Sequence, residues 1–157
     1  MYTTGRDGKG PAAVILVRLL IGWVFVSEGI QKFVFPDSLG VGRFAEIGIP
    51  FPEFSAPFVG VVEIVCGALV LIGLATRVAC LPLMIDMAVA LLSTKIPIAL
   101  GHGFWGFSLP PLPRYGLFAM AHEARTDVSM FLGALFLAMV GPGAWSVDAR
   151  IARRCRA

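Results

Sequence analysis

The chain has 157 residues, 57% of them hydrophobic and 15% charged, with a net charge of +3. Soluble domains carry about 45–50% apolar and about 25% charged residues, so this composition argues against a soluble globule and for one small transmembrane domain, 1–157. The positive groups gather near the two ends and form no basic face of the kind nucleic acid needs.

The N-terminal run MYTTGRDGKGPAA lacks a short apolar region followed by a small-residue cleavage site. The apolar stretch after it is long enough to stay in a membrane, so it reads as a span and not a cleaved signal. A spanning helix needs about 20 mostly apolar residues. Four segments meet that length: 12–35, 54–74, 78–98 and 127–147. The expected fold is all-α, an integral membrane four-helix bundle. The link Ala75–Arg77 is so short that spans two and three must form an antiparallel hairpin. Cys66 and Cys80 lie in apolar runs, Cys155 near the C-terminus, and no pair forms C-x-x-C. They read as small packing residues.

Arg6, Lys9, Arg77, Arg150, Arg153, Arg154 and Arg156 fall on one side of such a bundle, and the acidic link 36–53 falls on the other. The positive-inside rule then puts both termini in the cytoplasm of a bacterial inner membrane. Residues 99–126 must lie outside, although Arg114 and Arg125, offset only by Glu123, make this the one loop that breaks the bias. This segment carries Phe104, Trp105, Phe107, Tyr115 and the run LPPLP, and is expected to form a structured cap in the outer interface.

The spans hold several ionisable groups: Arg18, Glu28 and Lys32 in the first, Glu63 in the second, Asp86 and Lys95 in the third, Asp127 at the head of the fourth. Each costs about 3 kcal/mol at the bilayer centre on insertion scales, so such groups face the interior and pair. Depth along the helices, at about 1.5 Å per residue, sorts them into two layers. An inner layer is expected to pair Arg18 with Asp86 and with Glu63. An outer layer gathers Glu28, Lys32, Lys95 and Asp127 beneath His102, Trp105 and His122. Glu28 stands four residues before Lys32, the favourable order for an ion pair. Asp86 and Lys95, nine residues apart, are half a turn out of step on an ideal helix, and a bend at Pro82 or Pro97 would relieve this.

Two readings follow from these charges. They are structural glue that fixes helix register, or they line a pocket open to the outer side that binds a small polar headgroup such as a quinone or passes protons. Carboxylates held in low dielectric are able to exchange protons. Glu123 or Asp127 could complete a metal site with His102 and His122. Two loop histidines of this kind read as surface groups, however, and no metal site is assigned.

The first span, VRLLIGWVFVSEGIQKF, the second, GVVEIVCGALVLIGLATR, the Asp86–Met87 pair with Ala90, and the closing GPGAWSVD together resemble the DoxX family of small four-helix bacterial membrane proteins. The resemblance covers about residues 14–150 and makes Arg18, Lys32, Glu63 and Asp86 family-pattern positions. It implies a redox-associated membrane subunit, since relatives include subunits of a thiosulfate:quinone oxidoreductase and membrane partners of redox proteins. Lys95 and the long aromatic segment depart from the pattern. The leading expectation is interaction with quinone and with a redox partner protein or larger membrane complex. The alternatives are a non-catalytic accessory or anchor subunit, and a small-solute or proton pathway.

Overall fold

The structure, a computed structural model, describes residues 11–154; Arg6, Lys9, Cys155 and Arg156 lie outside that range. Six helices follow one another: α1 (Val14–Val34), α2 (Val41–Ile47), α3 (Pro52–Ile72), α4 (Thr76–Leu100), α5 (Leu117–Val140) and α6 (Val147–Arg154). Among the described residues there is no β-strand beyond a single bridge between Phe104 and Phe107.

The helix ends follow from local chemistry. α1 stops at Phe35, which leaves helical geometry because Pro36 follows it. α3 begins with Pro52 in its first turn and ends on Gly73, whose left-handed backbone (φ 72°) suits a residue without Cβ. The N–H of Leu74 returns to the Leu69 carbonyl at 3.0 Å and closes the turn into α4, forming the expected hairpin.

α1, α3 and α4 are each long and apolar enough to cross a membrane. α5 is equally long, at 24 residues, but its first half holds Glu123, Arg125 and Asp127. The expected bundle of four spans is therefore three apolar helices and a fourth, more polar one. α5 also sits differently from the expected 127–147. Gly116 (φ 114°) starts it at Leu117, so the non-helical cap shrinks from 99–126 to 101–116. Gly141 and Gly143, both with positive φ around Pro142, stop it at Val140.

α1 packs along α3, α5 packs along α4, and α3 joins the two pairs through the hairpin. Lipid tails are as apolar as leucine, so helices in a membrane associate by close van der Waals fit and not by the hydrophobic effect. Glycine supplies that fit between α1 and α3. A Cβ at Gly22 would lie 2.8 Å from the Gly67 carbonyl oxygen, and one at Gly29 would lie 2.7 Å from that of Gly60. The glycines are spaced seven apart on both helices, and 22 faces 67 as 29 faces 60, the register of an antiparallel pair. Below them Ile21, Phe25, Val70, Leu83, Ala134 and Leu137 form the apolar core. Cys80 is buried in that core and Cys66 packs against it. Trp23, Phe58, Val65, Leu81, Ile85 and Phe136 point outward, as lipid-facing side chains do.

Candidate functional site

The polar residues of the spans separate into a clamp at one end of the bundle and a chamber toward the other. The clamp is built on Arg18, which is buried although it is the longest cation available. Its Nε donates to the Val70 carbonyl at 2.9 Å and its Nη2 to that of Leu71 at 2.6 Å. Its Nη1 donates to Pro142 at 3.1 Å and to Trp145 at 2.7 Å. The acceptors are the last carbonyls of α3, where the helix dipole favours a cation, and the turns of the Gly-Pro-Gly loop. Gly73 leaves the room: a Cβ there would lie 2.6 Å from the guanidinium carbon. The expected pairing of Arg18 with Asp86 and Glu63 is therefore corrected, since backbone carbonyls satisfy its fork instead. Asp148 completes the clamp by accepting from the N–H of Ala75 at 3.0 Å and, more distantly, of Thr76 at 3.4 Å, which caps α4.

The chamber has a volume of about 420 Å³ and lies between α1, α3, α4 and α5, with α2 over its top. Glu28, Lys32, Glu63, Asp86, Lys95 and Asp127 all line it, so six of the seven residues expected to matter share one space. The two expected layers merge there, because Lys32 reaches down its own stem to Glu63. Lys32 Nζ donates to Glu63 Oε2 at 2.6 Å, with both groups largely shielded from solvent. This pairing overrides the expected contact of Lys32 with Glu28, and Glu28 is left exposed at the chamber edge. Asp86 stands beside the Glu63 carboxyl. Its Oδ2 is buried and accepts from no N–H or hydroxyl donor, and the Glu63 carboxyl is near enough to share a proton with Asp86.

Lys95 Nζ lies 3.1 Å from Asp127 Oδ2, joining α4 to α5. The approach is close enough for charge attraction but not aligned as a hydrogen bond, so Asp127 Oδ2 also keeps an unmet acceptor. The half-turn mismatch between Asp86 and Lys95 is resolved inside α4. Residues Leu91–Lys95 form a π-turn in which the Ile96 N–H reaches back five residues to the Leu91 carbonyl. Pro97 has no N–H to offer Ser93 and its ring crowds that carbonyl, which favours the wider turn. One residue is absorbed, and the offset of Asp86 from Lys95 drops from about 180° to about 80°. Pro97→Ala is expected to let α4 relax to α-helix and swing Lys95 away. A double-mutant cycle between Lys95 and Asp127, read by thermal unfolding, should give about 1 kcal/mol in the natural chain and near zero in Pro97→Ala. An unchanged coupling would show that the π-turn does not set this pair.

The cap does not close the chamber in the way the sequence suggests. Trp105 is 85% exposed, tilted against Phe104, and does not line the chamber. His102 turns its Nδ1 to the Gly103 carbonyl at 2.8 Å. His122 is exposed on α5, in a surface depression with Tyr115 and Arg114, and its carbonyl accepts from Arg125. The two imidazoles are in separate surroundings, and among the described residues no group of three or more His, Cys, Asp or Glu is placed to hold a metal.

Arg43 and Glu46 on α2 were not anticipated at the site. They line a second cavity of about 280 Å³ beneath the proline run Pro110–Pro111. Arg43, Ile47, Thr94 and Lys95 border both cavities, so the two are neighbours. The signal in the sequence was Arg43 itself, a lone cation in an otherwise acidic link.

Comparison with known proteins agrees with this architecture. A protein of Mycobacterium tuberculosis described as an uncharacterized membrane protein is 54% identical over 149 residues, covering 95% of this chain and 87% of its own length. The inner membrane protein YphA of Escherichia coli is 28% identical over 140 residues, covering 89% of this chain and 91% of its own. No solved structure matches the chain. The DoxX family model matches residues 13–96, just over half of the chain. That match takes in Arg18, the glycine-packed pair α1–α3, the chamber acids Glu63 and Asp86 and, at its end, Lys95. By that match and by its kinship to these membrane proteins, the chain belongs to the DoxX family.

Proposed function

We propose that the chamber binds the polar head of a quinone and exchanges protons with it, and that the chain serves as a redox-associated subunit of the bacterial inner membrane. One observation carries this reading: the buried, unpartnered Asp86 Oδ2 beside Glu63, facing an open space of about 420 Å³. A buried acceptor without a partner costs about 1–3 kcal/mol, and a bound hydroxyl or carbonyl-bearing ring edge with attached water would offset that cost. The charge count points the same way. Glu28, Glu63, Asp86 and Asp127 face the chamber against Lys32, Lys95 and Arg43, so the acids outnumber the cations by one, and one carboxyl is able to hold a transferable proton. Reduction of quinone to quinol takes two electrons and two protons. The electrons come from a reduced partner protein, and the protons pass through Asp86 and Glu63 from water.

Arg77, Arg150, Arg153 and Arg154 all sit at the clamp end, which supports placing that end and both termini in the cytoplasm. α2 and the 101–116 segment then face outward. The ion pairs Lys32–Glu63 and Lys95–Asp127, each joining two helices, favour a second reading as a non-catalytic anchor of a larger complex; a proton pathway through the chamber is the third.

The test is extraction of the protein purified in native lipid, with its quinone quantified per chain and compared with bulk membrane. The expected result is enrichment over bulk that falls about tenfold in Asp86→Asn, the loss of one hydrogen bond to a charged group. No enrichment in the natural protein would sink the quinone reading and leave the anchor.

A further inference from the structure

α1 and α5 meet toward the clamp end, where Ile21 fills the space beside Gly133. Toward the capped end the chamber lies between them, with α1 packed along α3 and α5 along α4. Glu28 stands seven residues beyond Ile21 on α1, and Thr126 seven residues from Gly133 on α5, each about 10 Å along its helix. Both side chains are exposed at the surface of the bundle and both line the chamber. The chamber wall is therefore open between them. Val24 lines this opening, the buried Phe25 and Met130 close the chamber beneath it, and the Lys32–Glu63 pair and Asp86 lie behind it.

Glu28 is otherwise hard to account for. It stands on a spanning helix, exposed, and belongs to neither of the two ion pairs found among the described residues. A lone charge facing hydrocarbon costs about 3 kcal/mol or more. At the lip of a polar chamber the carboxylate can turn toward water or a polar head. The α3–α4 side has no charged lip: there Val59 and the exposed Val89 line the chamber, and α2 lies against α3.

We propose that the α1–α5 cleft is a lateral portal. A lipid-soluble amphiphile passes its compact polar head through it into the chamber, its hydrocarbon tail stays in the bilayer over Val24, and Glu28 is the charged group the head meets at the lip. This rests on reading the chamber as a headgroup site. It adds the direction of approach, from the membrane and not from the water above α2.

The test closes the portal. Glu28→Cys and Thr126→Cys are introduced with Cys66, Cys80 and Cys155 replaced by alanine, and the new pair is joined by a bifunctional thiol reagent with a reducible spacer. The protein is placed in nanodiscs containing a phospholipid with a diazirine in its acyl chain, irradiated, and the labelled residues are located by mass spectrometry. The expected result is labelling of Val24 and Met87 in the open protein, its loss when the pair is joined, and its return on reduction. A link between Val59→Cys and Val89→Cys should leave that labelling in place. Labelling that is absent in the open protein, that survives the 28–126 link, or that is lost only with the 59–89 link overturns the portal. Reduction restores the same molecule, so a misfolded variant cannot imitate the result. If the portal behaves as expected while the native protein carries no quinone, the portal stands and the quinone assignment alone fails.

Discussion

Arg18→Ala is expected to destabilise the protein by about 4 kcal/mol, the scale of breaking a buried, fully hydrogen-bonded charge. The loss has two parts. The carbonyls of Val70, Leu71, Pro142 and Trp145 lose their donors in a place water does not reach. The Gly-Pro-Gly loop is also released from the end of α3, and with it the seat of Asp148 against α4. Arg18→Lys keeps the charge but has one donor centre in place of a fork, so it is expected to recover less than half of the loss. Detergent-titrated unfolding followed by Trp145 fluorescence reads the effect near its source. The chamber lies beyond the apolar core from this clamp, so quinone content per folded molecule should not change. A folded Arg18→Ala protein that has lost its chamber ligand would show that the two sites are coupled.

Membrane residence, the all-α class and the acids that meet at the chamber were legible in the chain, because hydropathy and the rarity of charge in a span are strong, local signals, whereas the short helices α2 and α6 carry too few apolar residues to announce themselves. The partners of those charges were not. Depth matched Arg18 to Asp86 and Glu63, but depth ignores backbone acceptors, and a helix C-terminus followed by Gly-Pro-Gly presents several carbonyls with no side-chain signature at all. Lys32 was placed near the outer end by its Cα, yet its four-carbon stem carries the ammonium down to Glu63. Counting residues at a fixed angle put Lys95 on the wrong face, and the π-turn before Pro97 returned it. The start of α5 was misjudged because His122, Glu123, Arg125 and Asp127 read as loop, whereas a helix rising above the apolar layer bears such residues freely. Trp105 marked an aromatic segment correctly but not its direction, since left-handed backbone there (φ 51°) turns the ring outward.

Glu63 decides between glue and chemistry, and a cycle with Lys32 separates them. Glu63→Gln leaves the Lys32 ammonium shielded from water and facing a neutral amide, and is expected to cost about 3 kcal/mol of stability. That loss alone proves nothing about function, because it follows on either reading. The informative protein is Lys32→Met with Glu63→Leu, which replaces the ion pair by apolar side chains of similar volume. Buried pairs exchanged in this way are commonly neutral or even stabilised by about 1–4 kcal/mol, and low dielectric around α1 and α3 favours the same outcome. The double variant is therefore expected to unfold at or above the natural midpoint, with a coupling of about 2 kcal/mol or more between the two positions. If the pair were only glue, this protein would keep everything the natural one does. On the proposed reading it is stable and empty: Asp86 loses both its neighbouring carboxyl and the nearby cation, and bound quinone falls to the level of bulk membrane. A stable double variant with full quinone content would move the site away from Glu63, toward Lys95, Asp127 and the smaller cavity under α2.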